Sequence, residues 1–173
     1  MIEHTEITAF LELMQNRPVI DVRSPSEYAK GHIPKAFNIP LFDDRERARV
    51  GTVYHCEGRE KAVALGILIA KPKMEAIAEA VNQVGCKRVL LHCWRGGMRS
   101  EGVAQLLHDS GMQVQVLTGG YKSFRKAVLD EFVKKRKLLV LGGMTGSGKT
   151  EVLHSLKARG EQVLDMEAMA NHK

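Results

Sequence analysis

RVLLHCWRGGMRS, residues 88–100, is the stretch from which the rest of the chain is best read. RVLLH is apolar enough for a strand buried on both faces, as parallel sheets require. The strand is followed by a short glycine-containing loop and then by a helical pattern with Val103, Leu106 and Leu107 on one side, ending at Gly111. Cys93 therefore stands at the carboxyl end of a buried strand, in the crevice where open α/β sheets place ligands. The loop N–H groups, the dipole of the following helix and the cations Arg99 and Arg95 all favour a thiolate there, the form that acts as nucleophile. Gly96 and Gly97 let the backbone curl so that its donors converge on one anion, and Ser100 reads as the cap of the next helix. A buried inert cysteine would need neither two arginines nor paired glycines beside it. Cys56 and Cys86 have no such surroundings and read as ordinary thiols.

Outward from this loop, strands alternate with helices. ITAFLELMQ (7–15) has helical apolar spacing, VIDV (19–22) reads as a strand running into a helix start at SPSEYAKG, and AFNIP (36–40) as another strand. GREKAVALGILIA and KPKMEAIAEAVNQVG predict two helices parted by Pro72, the second with Met74, Ile77, Ala78 and Val81 on one face. VQVL (114–117) reads as a strand. YKSFRKAVLDEFVKK reads as a helix with Tyr121, Phe124, Val128 and Phe132 aligned. The alternation predicts a parallel α/β sheet flanked by helices, with one domain over residues 1–136.

A second unit is expected over 137–173, where KLLVLGGMTGSGKTEVLHSLKARGEQVLD reads as strand, glycine-rich loop, helix, strand. Within it G-x-x-x-x-G-K-T runs from Gly143 to Thr150, a phosphate-binding P-loop in the strand-to-helix context that defines one. Gly143, Gly146 and Gly148 let backbone N–H groups wrap a phosphate, Lys149 adds a point charge, and Thr150 can ligate Mg²⁺ if a metal joins the phosphate. A complete P-loop domain needs several more βα units, so 137–173 reads as the incomplete beginning of one.

Composition narrows the class. The chain has 173 residues, 44% hydrophobic and 27% charged, the balance of an ordinary globular protein. Its longest apolar run, AVALGILIA (62–70), is too short to span a bilayer, no signal-peptide order opens the chain, and three irregularly spaced cysteines fit a reducing compartment, so the expectation is a cytoplasmic protein away from membranes. No cluster with metal-ligand spacing is evident. The net charge is +6, and the segment from Lys122 to Lys137, with seven basic residues and two acids, carries +5 of it. That segment is either a solvated helix face or a polyanion contact.

Residue chemistry alone leaves the cysteine loop open to two uses. His-Cys, five residues, Arg-Ser is the pattern of cysteine-dependent phosphatases, and five residues between Cys93 and Arg99 suit a tetrahedral oxyanion. An enzyme whose sulfur or selenium donor carries a phosphate fits equally.

Three stretches supply a resemblance. VIDVRSPSEYAKGHIPKAFNIP (19–40) resembles the N-terminal signature of rhodanese domains, where Asp21 and Arg23 would fix the loop after the strand. VGTVYHCEGREKAVALG (50–66) is similar to a segment peculiar to the tRNA 2-selenouridine synthases, and HCWRGGMRS resembles that family's C-x-R-G-G-x-R-S loop. LTGGYKSFR (117–125) followed by a P-loop matches its fusion of a rhodanese domain to a P-loop domain, an arrangement that disfavours a phosphatase. The resemblance implies a transferase that converts wobble 2-thiouridine of tRNA to 2-selenouridine through an S-geranylated intermediate. Its substrates would be geranyl diphosphate and selenophosphate, the latter drawn from a selenophosphate-producing enzyme, with no tightly bound cofactor. Carried over, Cys93 handles selenium, while Arg95, Gly96, Gly97, Arg99 and Ser100 surround the selenophosphate oxygens. Gly143, Gly146, Gly148, Lys149 and Thr150 hold a diphosphate, and Arg125, Lys126, Lys134, Lys135 and Arg136 are candidate tRNA contacts. VLDMEAMANHK resembles the family's continuation, placing Asp165 and Glu167 near the P-loop; an acid capping the next helix is the plainer reading of Asp165. The alternatives are a cysteine-dependent phosphatase, a persulfide sulfurtransferase of rhodanese fold and a nucleotide-binding regulatory module. Because the P-loop unit reads as incomplete, geranyl transfer is not expected of these 173 residues alone.

Overall fold

The computed structural model describes residues 2–170, so the end of the 163–173 stretch, from residue 171 on, lies outside the described residues. The chain divides into two compact units, Met1–Val133 and Lys134–Lys173. The first is built on five parallel strands, β1 (Glu3–Thr5), β2 (Val19–Asp21), β3 (Phe37–Asn38), β4 (Arg88–His92) and β5 (Gln113–Leu117), in the order β1-β5-β4-β2-β3. The chain passes from β2 outward to the edge at β3 and then returns to β4 on the other side of β2. The carboxyl ends of β2 and β4 thus meet at the point where strand order reverses, and Cys93 follows β4 there.

Both faces of the sheet are buried, so the central strands are apolar throughout. Along β4, Val89 and Leu91 join one core cluster while Leu90 joins the other; along β2, Ile20 and Val19 divide the same way. The first cluster is covered by α5 (Met74–Asn82), through Ile77 and Val81, and by α6 (Met98–Asp109), through Val103, Ala104 and Leu107. The second is covered by α1 (Ile7–Leu13), through Phe10, and by α7 (Gly120–Phe132), through Phe124. The expected alignment of Tyr121, Phe124, Val128 and Phe132 therefore holds for the first half of α7 only, since Phe132 is 82% exposed.

Two elements of this unit were not anticipated. β1 is a polar edge strand, Glu-His-Thr, with none of the alternation that marks a half-buried strand. The helix α3 (Asp44–Glu57) has no buried residue and little amphipathic pattern, but its start is signalled by a capping box. Asp43 accepts the Glu46 N–H at 2.8 Å and the Glu46 carboxylate accepts the Asp43 N–H at 2.9 Å. Gly58, at φ 94°, turns α3 into α4 (Arg59–Ala70), and a single 3₁₀ turn around Pro72 separates α4 from α5. A short helix, α2 (Pro25–Ala29), follows β2 and opens with a capping box between Ser24 and Glu27.

Where β2 ends, a charged pair lies wholly inside. Asp21 and Arg23 are both 0% exposed and joined at 2.5 Å. The Arg23 guanidinium also donates to the Gly31 carbonyl at 2.9 Å and stacks 3.9 Å from the centroid of Tyr121. Asn38 donates to the Asp21 and Arg23 carbonyls at 3.0 and 2.9 Å, tying β3 to the same corner. His92 completes the cluster, its Nε2 3.7 Å from Asp21.

In the second unit the helices α8 (Lys149–Ala158) and α9 (Met166–Met169) form as the sequence indicates, but the two expected strands do not. Residues 138–141 and 162–165 take no regular secondary structure, and Leu138, Leu139 and Val140 are exposed. A strand is a paired structure, and within the second unit no neighbouring strand is present among the described residues to pair with either stretch. Among the described residues no helix is long and apolar enough to cross a membrane.

The buried His92 sets an acid limit on the fold. Burial lowers its pKa from 6.5 to about 4, against the opposing pull of Asp21 and the Cys93 carbonyl. A depressed histidine stabilises the fold fully above pH 6.5, and that contribution falls away as pH drops from 6.5 towards 4, by at most about 3 kcal/mol. Urea unfolding of wild type and His92→Phe at pH 7 and pH 4.5 measures this. The stability difference between the two proteins should shift in favour of the variant on acidification; a constant difference excludes the effect.

Candidate active site

The loop after β4 is shaped from outside by the start of α7. Tyr121 N–H donates to the Cys93 carbonyl at 2.8 Å and Lys122 N–H to the Trp94 carbonyl at 3.0 Å. With these carbonyls engaged, loop N–H groups are left to face the sulfur. The fit allows no side chain at Gly120, where a Cβ would lie 2.4 Å from the Cys93 carbonyl oxygen and 2.5 Å from the Gly96 nitrogen. Gly96 is constrained in return: at φ 61° its Cβ would meet the Leu117 carbonyl oxygen at 2.6 Å. The two backbones interlock at van der Waals distance, which only glycine permits. Gly97 is different from the expectation. It is extended, at φ −123°, and a Cβ there would meet nothing within 4 Å, so it does not share in the curl.

Cys93 is 3% exposed, with Sγ 3.3 Å from the Ser100 hydroxyl and 3.5 Å from the donating N–H of Gly97, which caps α6. Burial pushes the thiol up. The Ser100 hydroxyl, the Gly97 N–H, the Arg99 charge and the Arg95 N–H together outweigh it and hold the thiol below its ordinary value of 9.0. Ser100 is not the helix cap expected of it: α6 begins at Met98, and Ser100 sits in its first turn. Its hydroxyl has one proton, and it also lies 2.9 Å from the Gly97 carbonyl. With a protonated thiol the hydroxyl donates to that carbonyl and accepts from sulfur; with a thiolate it turns and donates to sulfur.

Arg99, expected to face the anion directly, is paired with Glu27 of α2 at 2.7 Å and is mostly buried. Burial raises the Glu27 carboxyl, but Arg99, the Ser24 N–H and Arg47 together bring it below its usual value. Glu27 was absent from the sequence expectations although the Ser24-x-x-Glu27 spacing was visible, because only the fold brings α2 beside the loop. An anion at Cys93 would share Arg99 with Glu27. Arg95 is exposed; the Gly97 N–H and the Ser100 hydroxyl reach the sulfur and Arg99 acts on it through its charge, while Gly96 packs against the start of α7.

In the second unit Gly146 and Gly148 both adopt left-handed φ of 79°, and Lys149 opens α8. Its Nζ donates to the Gly143 and Met144 carbonyls at 2.9 and 2.7 Å, drawing the loop round the ammonium. A Cβ at Gly143 would lie 2.7 Å from the Ser147 hydroxyl. Thr150 is exposed beside it. Asp165 caps α9 by accepting the Ala168 N–H at 3.0 Å, the plainer of its two readings, and Glu167 follows in that helix's first turn. Arg125, Lys126, Lys134, Lys135 and Arg136 are all exposed. Among the described residues no cluster of three potential ligands could hold a metal ion.

Residues 6–127 match the rhodanese-like domain family. This chain belongs to it. Residues 136–173 match a second family, the tRNA 2-selenouridine synthase AAA domain. The chain is 40% identical over 164 residues to the tRNA 2-selenouridine synthase of Nitrosomonas europaea, covering 90% of this chain and 42% of that protein. It is 42% identical to the synthase of Shewanella frigidimarina, covering 93% and 44%. This rhodanese-like chain thus spans less than half the length of these curated relatives. Among solved structures it resembles the N-terminal domain of a putative ATP/GTP binding protein from Clostridium difficile 630, with a TM-score of 0.69 and 34% identity over 73% of this chain and 99% of that one.

The donors around Cys93 predict an acidified thiol. Alkylation by iodoacetamide, followed by peptide mass spectrometry, should reach its rate plateau at a lower pH for Cys93 than for the exposed Cys56 and Cys86. Ser100→Ala should move the Cys93 profile to higher pH. An unmoved profile would remove the hydroxyl from the account.

Proposed function

We propose that this chain takes part in replacing sulfur by selenium at the wobble 2-thiouridine of tRNA. The observation that carries the reading is the order of its parts: a rhodanese-like domain with an acidified Cys93, followed directly by a segment matching the AAA domain of the tRNA 2-selenouridine synthases. The names of relatives about 40% identical over nine-tenths of the chain support it.

In this reading selenophosphate is the selenium donor. Its phosphate oxygens meet the loop N–H groups and Arg99, with Arg95 at the open side, and Cys93 serves the selenium step. Geranylation of the 2-thio group by geranyl diphosphate, with release of diphosphate, comes first. It turns the sulfur into a better leaving group, so that the selenium of selenophosphate adds at C2, the C–S bond breaks, geranyl thiolate departs with the electron pair, and water cleaves the Se–P bond to release phosphate. The P-loop Gly143, Gly146, Gly148, Lys149 and Thr150 cradle a diphosphate group, which Mg²⁺ at Thr150 would help neutralise. The tRNA backbone meets the basic residues Arg125, Lys126, Lys134, Lys135 and Arg136, and the protein works in the cytoplasm.

Nucleoside mass spectrometry of tRNA from cells lacking the gene, grown with selenite, tests the reading. Complementation with wild type should restore 2-selenouridine and Cys93→Ser should not. Persistence of 2-selenouridine in the deletion would overturn it, and turnover of an aryl phosphate would then point to a phosphatase.

For tRNA contact, the triple change of Lys134, Lys135 and Arg136 to glutamine should weaken binding. It should also flatten the dependence of log affinity on log salt by about one unit per lost phosphate contact. An unchanged slope removes this segment from the interface.

A further inference from the structure

Beside the Cys93 loop, in the first unit, lies a cavity of about 410 Å³ that no step above uses. It is an open pocket bordered by the segment before α3, by α3 and α4, by the 3₁₀ turn and the start of α5, and by the first turns of α6. Its walls are apolar almost throughout, with Leu41, Phe42, Val50, Ala62, Val63 and Ile67 prominent. Met74 and Met98 also line it, flexible side chains that adapt to an irregular apolar guest. The charged residues lining it are Arg59, Lys71 and Arg99; all three are cations, and Arg99 is paired with Glu27. An apolar cavity with only positive charges along it is complementary to an amphiphile with a hydrocarbon body and an anionic head. Its volume falls within the range of small-molecule sites. Arg99 belongs both to this lining and to the surroundings of Cys93.

We propose that this cavity binds a prenyl diphosphate, with the isoprenoid chain between α3, α4 and α6 and the diphosphate at the cavity's cationic border. The inference rests on the reading that a prenyl diphosphate is a substrate, and it assigns that substrate to the rhodanese-like unit. The P-loop is then left for a phosphate group of its own.

Gly102 offers a selective test. It lines the cavity from α6, and a Cβ added there meets nothing within 4 Å, so a larger side chain can enter the space without displacing structure. Leucine in place of glycine also favours the helix. Val63→Phe fills the cavity from the opposite wall should the first variant fold poorly. Isothermal titration of the 173-residue chain with geranyl diphosphate, inorganic diphosphate and geraniol reads the outcome, with thermal midpoints as a check on folding.

Geranyl diphosphate should bind wild type roughly a hundredfold more tightly than inorganic diphosphate, as burial of a ten-carbon chain implies after a generous discount for ordering. Gly102→Leu should weaken geranyl diphosphate at least about tenfold and leave inorganic diphosphate alone. The proposal is overturned if wild type does not bind geranyl diphosphate, or if a folded Gly102→Leu and a folded Val63→Phe both bind it unchanged. It also fails if geraniol binds as tightly, or if Lys149→Ala abolishes binding. A chain that passes this test but proves dispensable for 2-selenouridine keeps the cavity assignment and loses the tRNA function.

Discussion

An ion pair wholly removed from water holds the active corner together. Separating charges from solvent costs several kcal/mol for each ion, and that cost is recovered only where geometry and further hydrogen bonds are good. Asp21 and Arg23 meet the condition by spending the guanidinium on three things at once: the Asp21 carboxylate, the Gly31 carbonyl and the face of Tyr121. Tyr121 is also the residue whose N–H fixes the Cys93 carbonyl. The end of β2, the start of α7 and the cysteine loop are therefore positioned by one buried cation. Removing either partner would leave an uncompensated charge inside the corner that shapes the nucleophile.

The thiol's acidity arises from several weak donors acting over short range. None of them is a full charge in direct contact with sulfur, since Arg99 is turned to Glu27. A hydroxyl, helix-end N–H groups and a nearby guanidinium suffice because the site is dry and each dipole is already oriented.

The sheet and the place of Cys93 at the end of β4 were legible in the sequence because they rest on strong local signals. RVLLH is apolar at every interior position, and cysteine followed by glycines and arginines at a strand end is a pattern with few uses. The structural role of Asp21 and Arg23 was implied by the rhodanese resemblance of their stretch, and the fold shows the two joined at that corner. What escaped reading depends on long-range pairing. β1 is a strand only because β5 lies beside it, and α3 is a helix with almost no apolar face whose sole local mark is its capping box. Glu27 and Gly120 join the Cys93 corner through partners far away in sequence. The error over Ser100 was of a different kind: serine at a helix start does suggest a cap, but here its hydroxyl lies between the Cys93 sulfur and the Gly97 carbonyl. The strands expected at 138–141 and 162–165 failed for the opposite reason, having apolar local sequence but no partner in their unit.

The interlock of Gly96 with Leu117 and of Gly120 with the Cys93 loop also has a meaning for the chain as it is made. The groups that shape the loop lie downstream of it, so a ribosome releases Cys93 well before Leu117, Gly120 and Tyr121 have emerged. Until they dock, the loop lacks its mould and Cys93 is chemically an unremarkable thiol. The lowered pKa is acquired in the same event that withdraws the sulfur from solvent, so the nascent chain does not display the acidified thiol in the open.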